Sequence, residues 1–391
     1  MKLTKFFAFA LAALAVVGCG GDTTTNEGTG NGNGNNGENN FTPRPEGSIT
    51  LTADKTSATV GETITFTVTD TEGQDLTAAS KIYDQDMTKL ANNTFTTEKT
   101  GSYTFFASCE GENSNVLAIK VVASMPDAPK DTEPDNFAFN HRAVLVDHTA
   151  VNCGYCTWMT DYLIAYHKTS MSKHYNEVTC HAGDLAVGDP AASTAATNLL
   201  TYHERFNGGF GNPTLVFNFK TGVVSNDSPF SIVKSNIDKV LNGYIKRDGA
   251  DVGIAIATEG DSDAIQCAAE IKVAKDGYYF VNAWLLESDI WSPNQASATT
   301  TEHKTYNYAL RNFSETVKTT TLGGIAGFEI GELKQGSKYL YGCELEILNN
   351  KWAWENMGVL VVVSALNDNG TIEVVNSAYC KQGETLTYEY L

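Results

Sequence analysis

The period of polar and apolar positions changes along the chain, and the changes divide it. Thr63-Ile64-Thr65-Phe66-Thr67-Val68-Thr69 alternates strictly, which predicts a strand with one buried face. Residues 49–52, Phe95, the Tyr103, Phe105 and Ala107 series and residues 116–122 supply further short strands divided by Gly and Asp, so residues 45–123 are expected to form a β-sandwich. From Asn136 the pattern becomes strand, helix, strand, helix, strand, helix. Val144-Leu145-Val146-Asp147 reads as a buried strand, and Met159, Tyr162, Leu163 and Tyr166 recur at three- and four-residue steps, one apolar face of a helix. Residues 177–180 and 215–217 predict strands. Residues 190–202 predict a helix with Asp189 as N-cap and Pro190 in its first position, and Ser228 and Pro229 open a closing helix. Residues 136–248 therefore read as α/β. Residues 249–391 read as an all-β sandwich, with strands over 254–257, 267–273, 278–286, 339–348, 359–365 and 372–379 and a hairpin turn at Asn369-Gly370.

The N-terminus is of another kind. Lys2 and Lys5 precede an apolar run over 6–17 that is too short to span a bilayer, so residues 1–18 read as a secretory signal peptide. Residues 20–40 are Gly, Asn and Thr with little else, a composition that buries too little apolar surface to fold, so residues 19–44 read as Cys19 and a flexible linker. Pro126, Pro129 and Pro134 stiffen a second linker over 124–135. The 391 residues carry a formal net charge of −19, which argues against nucleic acid and against electrostatic binding to anionic lipid.

Candidate chemistry concentrates at Cys153-Gly154-Tyr155-Cys156, where the buried strand gives way to the helix. A thiol in the first turn of a helix meets unsatisfied N–H groups and the positive end of the dipole, which favour thiolate. Cys153 is expected to be the exposed nucleophile and Cys156, one turn deeper, the buried resolving thiol. Haem attachment needs His after the second Cys, and that residue is Thr157. Zinc needs more ligands, and Cys180 and His181, adjacent on a strand, point to opposite faces. A structural disulfide closing one turn remains the competing reading.

Several resemblances sit on these residues. Val16-Val17-Gly18-Cys19 resembles a lipobox, which implies that Cys19 becomes the lipid-bearing first residue of a bacterial lipoprotein; an ordinary signal peptide cut nearby is the alternative. Residues 54–62, Asp-Lys-Thr-Ser-Ala-Thr-Val-Gly-Glu, resemble the start of a bacterial immunoglobulin-like module. Residues 136–246 resemble the thioredoxin superfamily: Cys153-Gly154-Tyr155-Cys156 matches the dithiol, Asn212-Pro213-Thr214 matches the cis-proline loop, and Asp147 lies where many members carry a buried Asp that helps deprotonate the resolving thiol. The resemblance implies that Asn212, Pro213 and Tyr155 contact an extended substrate. Asn152, Thr149 and Tyr155 stand where the superfamily usually has an aromatic residue, Trp and Pro, positions that set substrate range and redox potential. The whole chain, with His181-Ala182-Gly183, resembles a lipoprotein family named after a twenty-eight-kilodalton outer membrane protein of gut and oral anaerobes, which implies an outer-membrane, cell-envelope location.

The expected function is thus thiol–disulfide exchange on extracytoplasmic protein thiols or disulfides, in a lipid-anchored protein. The competing class is a non-catalytic surface lipoprotein that uses the thioredoxin fold as a binding scaffold. No metal or other cofactor is expected. Cys109, Cys267 and Cys343 are in phase with apolar neighbours and read as buried small hydrophobes, with a Cys343–Cys380 bridge left open. Trp291, Trp352 and Trp354 read as core or rim packing, with a sugar-stacking patch as the alternative.

Overall fold

The computed structural model describes residues 47–209, 211–224, 229–315, 318–319 and 325–391. The expected signal peptide, Cys19 and the expected Gly/Asn linker lie outside the described residues. Among the described residues the chain is mainly β, built as several sheets with three α-helices.

In the first module, Ile49–Ala53 and Thr94–Thr96 pair antiparallel with Thr63–Asp70. A second sheet holds Ser57–Thr59, Leu117–Val122, Gly101–Cys109 and Lys81–Asp84. The apolar members of the alternating run, Ile64, Phe66 and Val68, are buried against Phe105 and Ile119, each worth about 1.5–3 kcal/mol of hydrophobic transfer. The module is seated on a C-terminal strand, Lys338–Glu346. Thr56 Oγ1 donates to the Leu340 carbonyl at 2.9 Å, the Gly342 N–H donates to Ser57 Oγ at 2.8 Å, and Lys120 pairs with Glu315 at 2.6 Å.

The expected buried strand is Ala143–Thr149. It pairs in parallel with Tyr175–His181 and antiparallel with Thr214–Phe217. Both of its faces are covered, which is why it reads as a continuous apolar run. Ala143 and Leu145 pack with α1 (Cys156–His167) and α3 (Phe230–Tyr244) through Met159, Leu163, Val233 and Ile237. Val144 and Val146 face the other way, onto α2 (Thr194–Asn207) through Ala196 and Leu199. The start of α2 corrects the sequence reading: Ser193, not Asp189, is the N-cap, its Oγ accepting from the Ala196 N–H at 3.0 Å. Asp189 is taken up by other donors, described below.

The sheet does not stop with these strands. Tyr175–His181 pairs in parallel with Ala309–Phe313, and the sheet runs on through Gly277–Glu287, Met357–Leu366 and Ile372–Lys381 to nine strands among the described residues. Strands from the 136–248 and 249–391 segments thus share one sheet. The Ala309–Phe313 strand escaped sequence reading because Arg311 interrupts its apolar pattern. That guanidinium is buried all the same: its Nε donates to Glu287 Oε2 at 2.7 Å, and Trp352 covers it at 4.7 Å. A four-stranded sheet of Lys338–Glu346, Ala264–Val273, Val252–Gly260 and Thr385–Leu386 packs over the C-terminal strands. Cys267, Cys343 and Cys380 are free, buried thiols of that core, so the Cys343–Cys380 bridge is not formed; the strand partner of Cys343 is Cys267. Trp352 and Trp354 pack against the same core, whereas Trp291 is half exposed, and no joint aromatic patch results.

The proline-rich linker is pinned to the molecule. Lys272 is buried and donates from Nζ to Asp131 Oδ2 and to the Glu133 carbonyl, both at 2.9 Å, under the rings of Phe137 and Tyr390.

Candidate functional site: a covered dithiol

The chain leaves the Ala143–Thr149 strand, turns at Ala150, whose carbonyl accepts from the Cys153 N–H, and enters α1 at Cys156. Cys153 and Cys156 are joined as a disulfide, with Cα atoms 5.4 Å apart. The first helical turn therefore begins with Cys156, not Cys153. Both cysteines are buried, each 3% exposed. This corrects the expectation of an exposed Cys153.

The cover on Cys153 comes from far along the sequence. The segment after Ile290–Trp291 folds back over the dithiol loop. The Ala296 N–H donates to the Val151 carbonyl at 2.8 Å, and Gln295 Nε2 donates to the Cys153 carbonyl at 3.0 Å. Tyr306 OH holds the other end of the Gln295 amide, donating to Oε1 at 2.7 Å. Ser297 comes so close to Gly154 that a β-carbon there would lie 2.8 Å from its Oγ, and His303 Nε2 anchors the far end of the segment to Asp161 at 2.9 Å. Nothing in the polar sequence over 292–301 signals this docking.

Asp189 holds the loop from the other side. Its carboxylate accepts from the Val151 N–H at 2.7 Å, the Ala191 N–H at 2.9 Å and His181 Nδ1 at 2.8 Å. Burial works against that charge, but the His181 hydrogen bond and charge and the two N–H groups outweigh it and hold the carboxyl below its ordinary range. His181 in turn packs on the Tyr306 ring at 4.4 Å between centroids. As expected for strand neighbours, Cys180 points away, its thiol donating to the Ala196 carbonyl of α2.

Asp147 is buried on the strand, with Oδ1 lacking any hydrogen-bond partner. Burial first, and the charge of Glu177 second, raise its carboxyl well above the ordinary value. Asn212–Pro213 is a cis peptide bond, as its resemblance to a cis-proline loop implies. Thr214, the next residue, pairs with His148, which brings Pro213 to the same end of the sheet as the dithiol loop. Pro213 is buried, Asn212 half-buried and Tyr155 64% exposed. Tyr155 and Trp158 form an edge-to-face pair at 5.4 Å. Asn152 Nδ2 donates to the Leu185 and Val187 carbonyls, so two more exposed apolar side chains lie beside the dithiol loop.

A cavity of about 790 Å³ opens on the inner side of the dithiol, between α1 and the 301–308 segment. Cys156, Asp147, His181, Glu177 and Tyr306 line it; Cys153 does not. Glu177 accepts from His167 Nε2 at 2.6 Å, and that bond raises the His167 pKa against the pull of burial.

No family model and no curated protein matches this chain. Among solved structures it is similar to HBP35 of Porphyromonas gingivalis, at 15% identity and a TM-score of 0.47, over 63% of this chain and 77% of that one. A protein from Agrobacterium tumefaciens is similar at 13% identity and a TM-score of 0.37, over 62% of this chain and 95% of that one. Neither likeness reaches a TM-score of 0.5, and neither assigns a role to any residue here.

Proposed function

We propose that this is a lipid-anchored cell-envelope protein whose segment 136–248 is thioredoxin-like and exchanges disulfides with extracytoplasmic proteins through Cys153 and Cys156. The reading is carried by one observation: of the described cysteines only these two are bridged, and they sit where a buried strand feeds a helix N-terminus. Supporting groups surround them. Asp147, buried with its carboxyl pKa raised and lining the same cavity as Cys156, is the group that moves a proton to or from the resolving sulfur in this reading. The exposed Tyr155, Trp158, Leu185 and Val187 offer apolar surface for an extended partner strand, alongside Asn212 and Pro213. In the exchange, Cys153 attacks a partner disulfide, a mixed disulfide forms, and Cys156 displaces the partner thiol. Lipidation at Cys19 supplies the anchor, and the outer membrane the location.

The test is trapping. Cys156→Ser is expected to accumulate mixed disulfides with envelope proteins on non-reducing gels, and Cys153→Ser almost none. Equal trapping by both variants, or by neither, overturns the ordered exchange. The burial of both sulfurs favours a second reading, a scaffold with a structural dithiol. That reading requires the bridge to stay oxidised in excess dithiothreitol while the protein remains folded.

A further inference from the structure

We infer that the cavity behind the dithiol is a binding site for a small ammonium-bearing thiol, which reduces the Cys153–Cys156 bridge by attacking Cys156. The inference rests on the dithiol being exchange-competent, as proposed above, and adds a second substrate on a second face.

Access decides which sulfur such a thiol meets. On the outer side the Gln295–Ser297 segment closes over the loop at Cys153. On the inner side Cys156 lines an open space of about 790 Å³, within the size range of small-molecule sites. That volume admits a compact thiol and its disulfide but not a protein loop and its flanking strands.

The lining sets the charge. It contains the carboxyl groups of Asp147, Glu177 and Glu302, the imidazoles of His167 and His181, already bonded to Glu177 and to Asp189, four tyrosine residues, and no Lys or Arg among the described residues. A thiol carrying carboxylates would find only imidazoles already engaged by Glu177 and Asp189, whereas an ammonium group would find the open Asp147 oxygen, Glu302 and ring faces. Asp147 Oδ1, buried and without a partner, is an acceptor waiting for such a donor. Cys156 also begins the first turn of α1, where helix N–H groups favour it as a thiolate once released.

The chemistry balances in two steps. The aminothiol gives up its proton and attacks Cys156 Sγ. A sulfur–sulfur bond forms to Cys156, the Cys153–Cys156 bond breaks, and the electron pair leaves on Cys153, which takes up one proton. A second aminothiol attacks the sulfur of the first, releasing the symmetrical disulfide and the Cys156 thiolate, which takes up the other proton. Two thiols are oxidised to one disulfide, and the protein bridge is reduced to two thiols.

The probes are cystamine and its anionic counterpart of matching length, dithiodipropionate, applied to Cys153→Ser, with mixed-disulfide formation followed by intact mass. Relative to a free cysteine peptide, Cys156 is expected to take the cystamine half about tenfold faster than the anionic half, the factor of an ammonium held by carboxyl and aromatic groups. Filling the cavity with Ile164→Trp or, separately, Thr160→Leu in this background should remove most of that preference, with circular dichroism checking that the fold is kept. Equal rates for the two probes, or an unchanged preference in both filled variants that fold, overturn the inference. Failure of the exchange reading shows elsewhere: wild type then keeps its bridge in dithiothreitol, whatever Cys156 does with cystamine.

Discussion

Two buried carboxyl groups flank the dithiol loop with opposite electrostatic histories. Asp189 is held below its ordinary range, so its contribution to stability is present above about pH 3.9 and is lost as pH falls through its folded value. Asp147 is held above its ordinary range, so its contribution is fully present below about pH 3.9 and is lost as pH rises through its folded value. Asp147→Asn should therefore flatten the fall of the urea midpoint as pH rises above about 3.9, and a fall identical to wild type would contradict its raised pKa. Asp189→Ala strands the His181 ring and two N–H groups in the interior and should cost about 3–5 kcal/mol at neutral pH, read from the same titrations. At this scale the sequence was legible in part. Asp147 stood out because it lies where the resemblance to the thioredoxin superfamily implies a buried Asp. Asp189 was visible but misread: Asp followed by Pro is an ordinary helix start, and only the folded chain brings Val151 and His181 to its oxygens.

At the scale of elements, the strands and helices with a clean period were legible, and those whose pattern depends on distant partners were not. The run from Thr63 to Thr69 and the apolar face of α1 need no outside information. The Ala309–Phe313 strand needs Glu287 to make Arg311 a core residue, and the Gln295–Ser297 cover has no period at all. That cover is the element most open to test. Gln295→Ala removes the donor to Cys153 and leaves Tyr306 OH without its acceptor, a loss of about 1–3 kcal/mol. The bridge should then be reduced by dithiothreitol several-fold faster than in wild type, measured by quenched alkylation. An unchanged rate would mean that the segment does not limit access to Cys153.

At the scale of the molecule, the sequence indicated β-rich segments joined by linkers but not how firmly they are fastened. Lys272 is the clearest fastening. It binds Asp131 and Glu133 of the proline-rich linker under a set of aromatic rings. Lys272→Ala leaves Asp131 with less of its counter-charge and should cost about 3–5 kcal/mol while exposing residues 126–135 to protease. Lys272→Met combined with Asp131→Leu should recover most of that stability, because it removes both charges together. Cleavage kinetics and thermal melts read the two effects, and a linker as protected in Lys272→Ala as in wild type would show that the pair does not hold it. The shared sheet goes further than any single fastening. Tyr175–His181 and Ala309–Phe313 lie side by side, and Arg142 reaches Glu389 with two hydrogen bonds while Asn176 reaches Ser377. The peptide link between residues 248 and 249 is therefore not what keeps the dithiol half and the C-terminal half together. A chain nicked there would remain one particle, and its two fragments would separate only in denaturant.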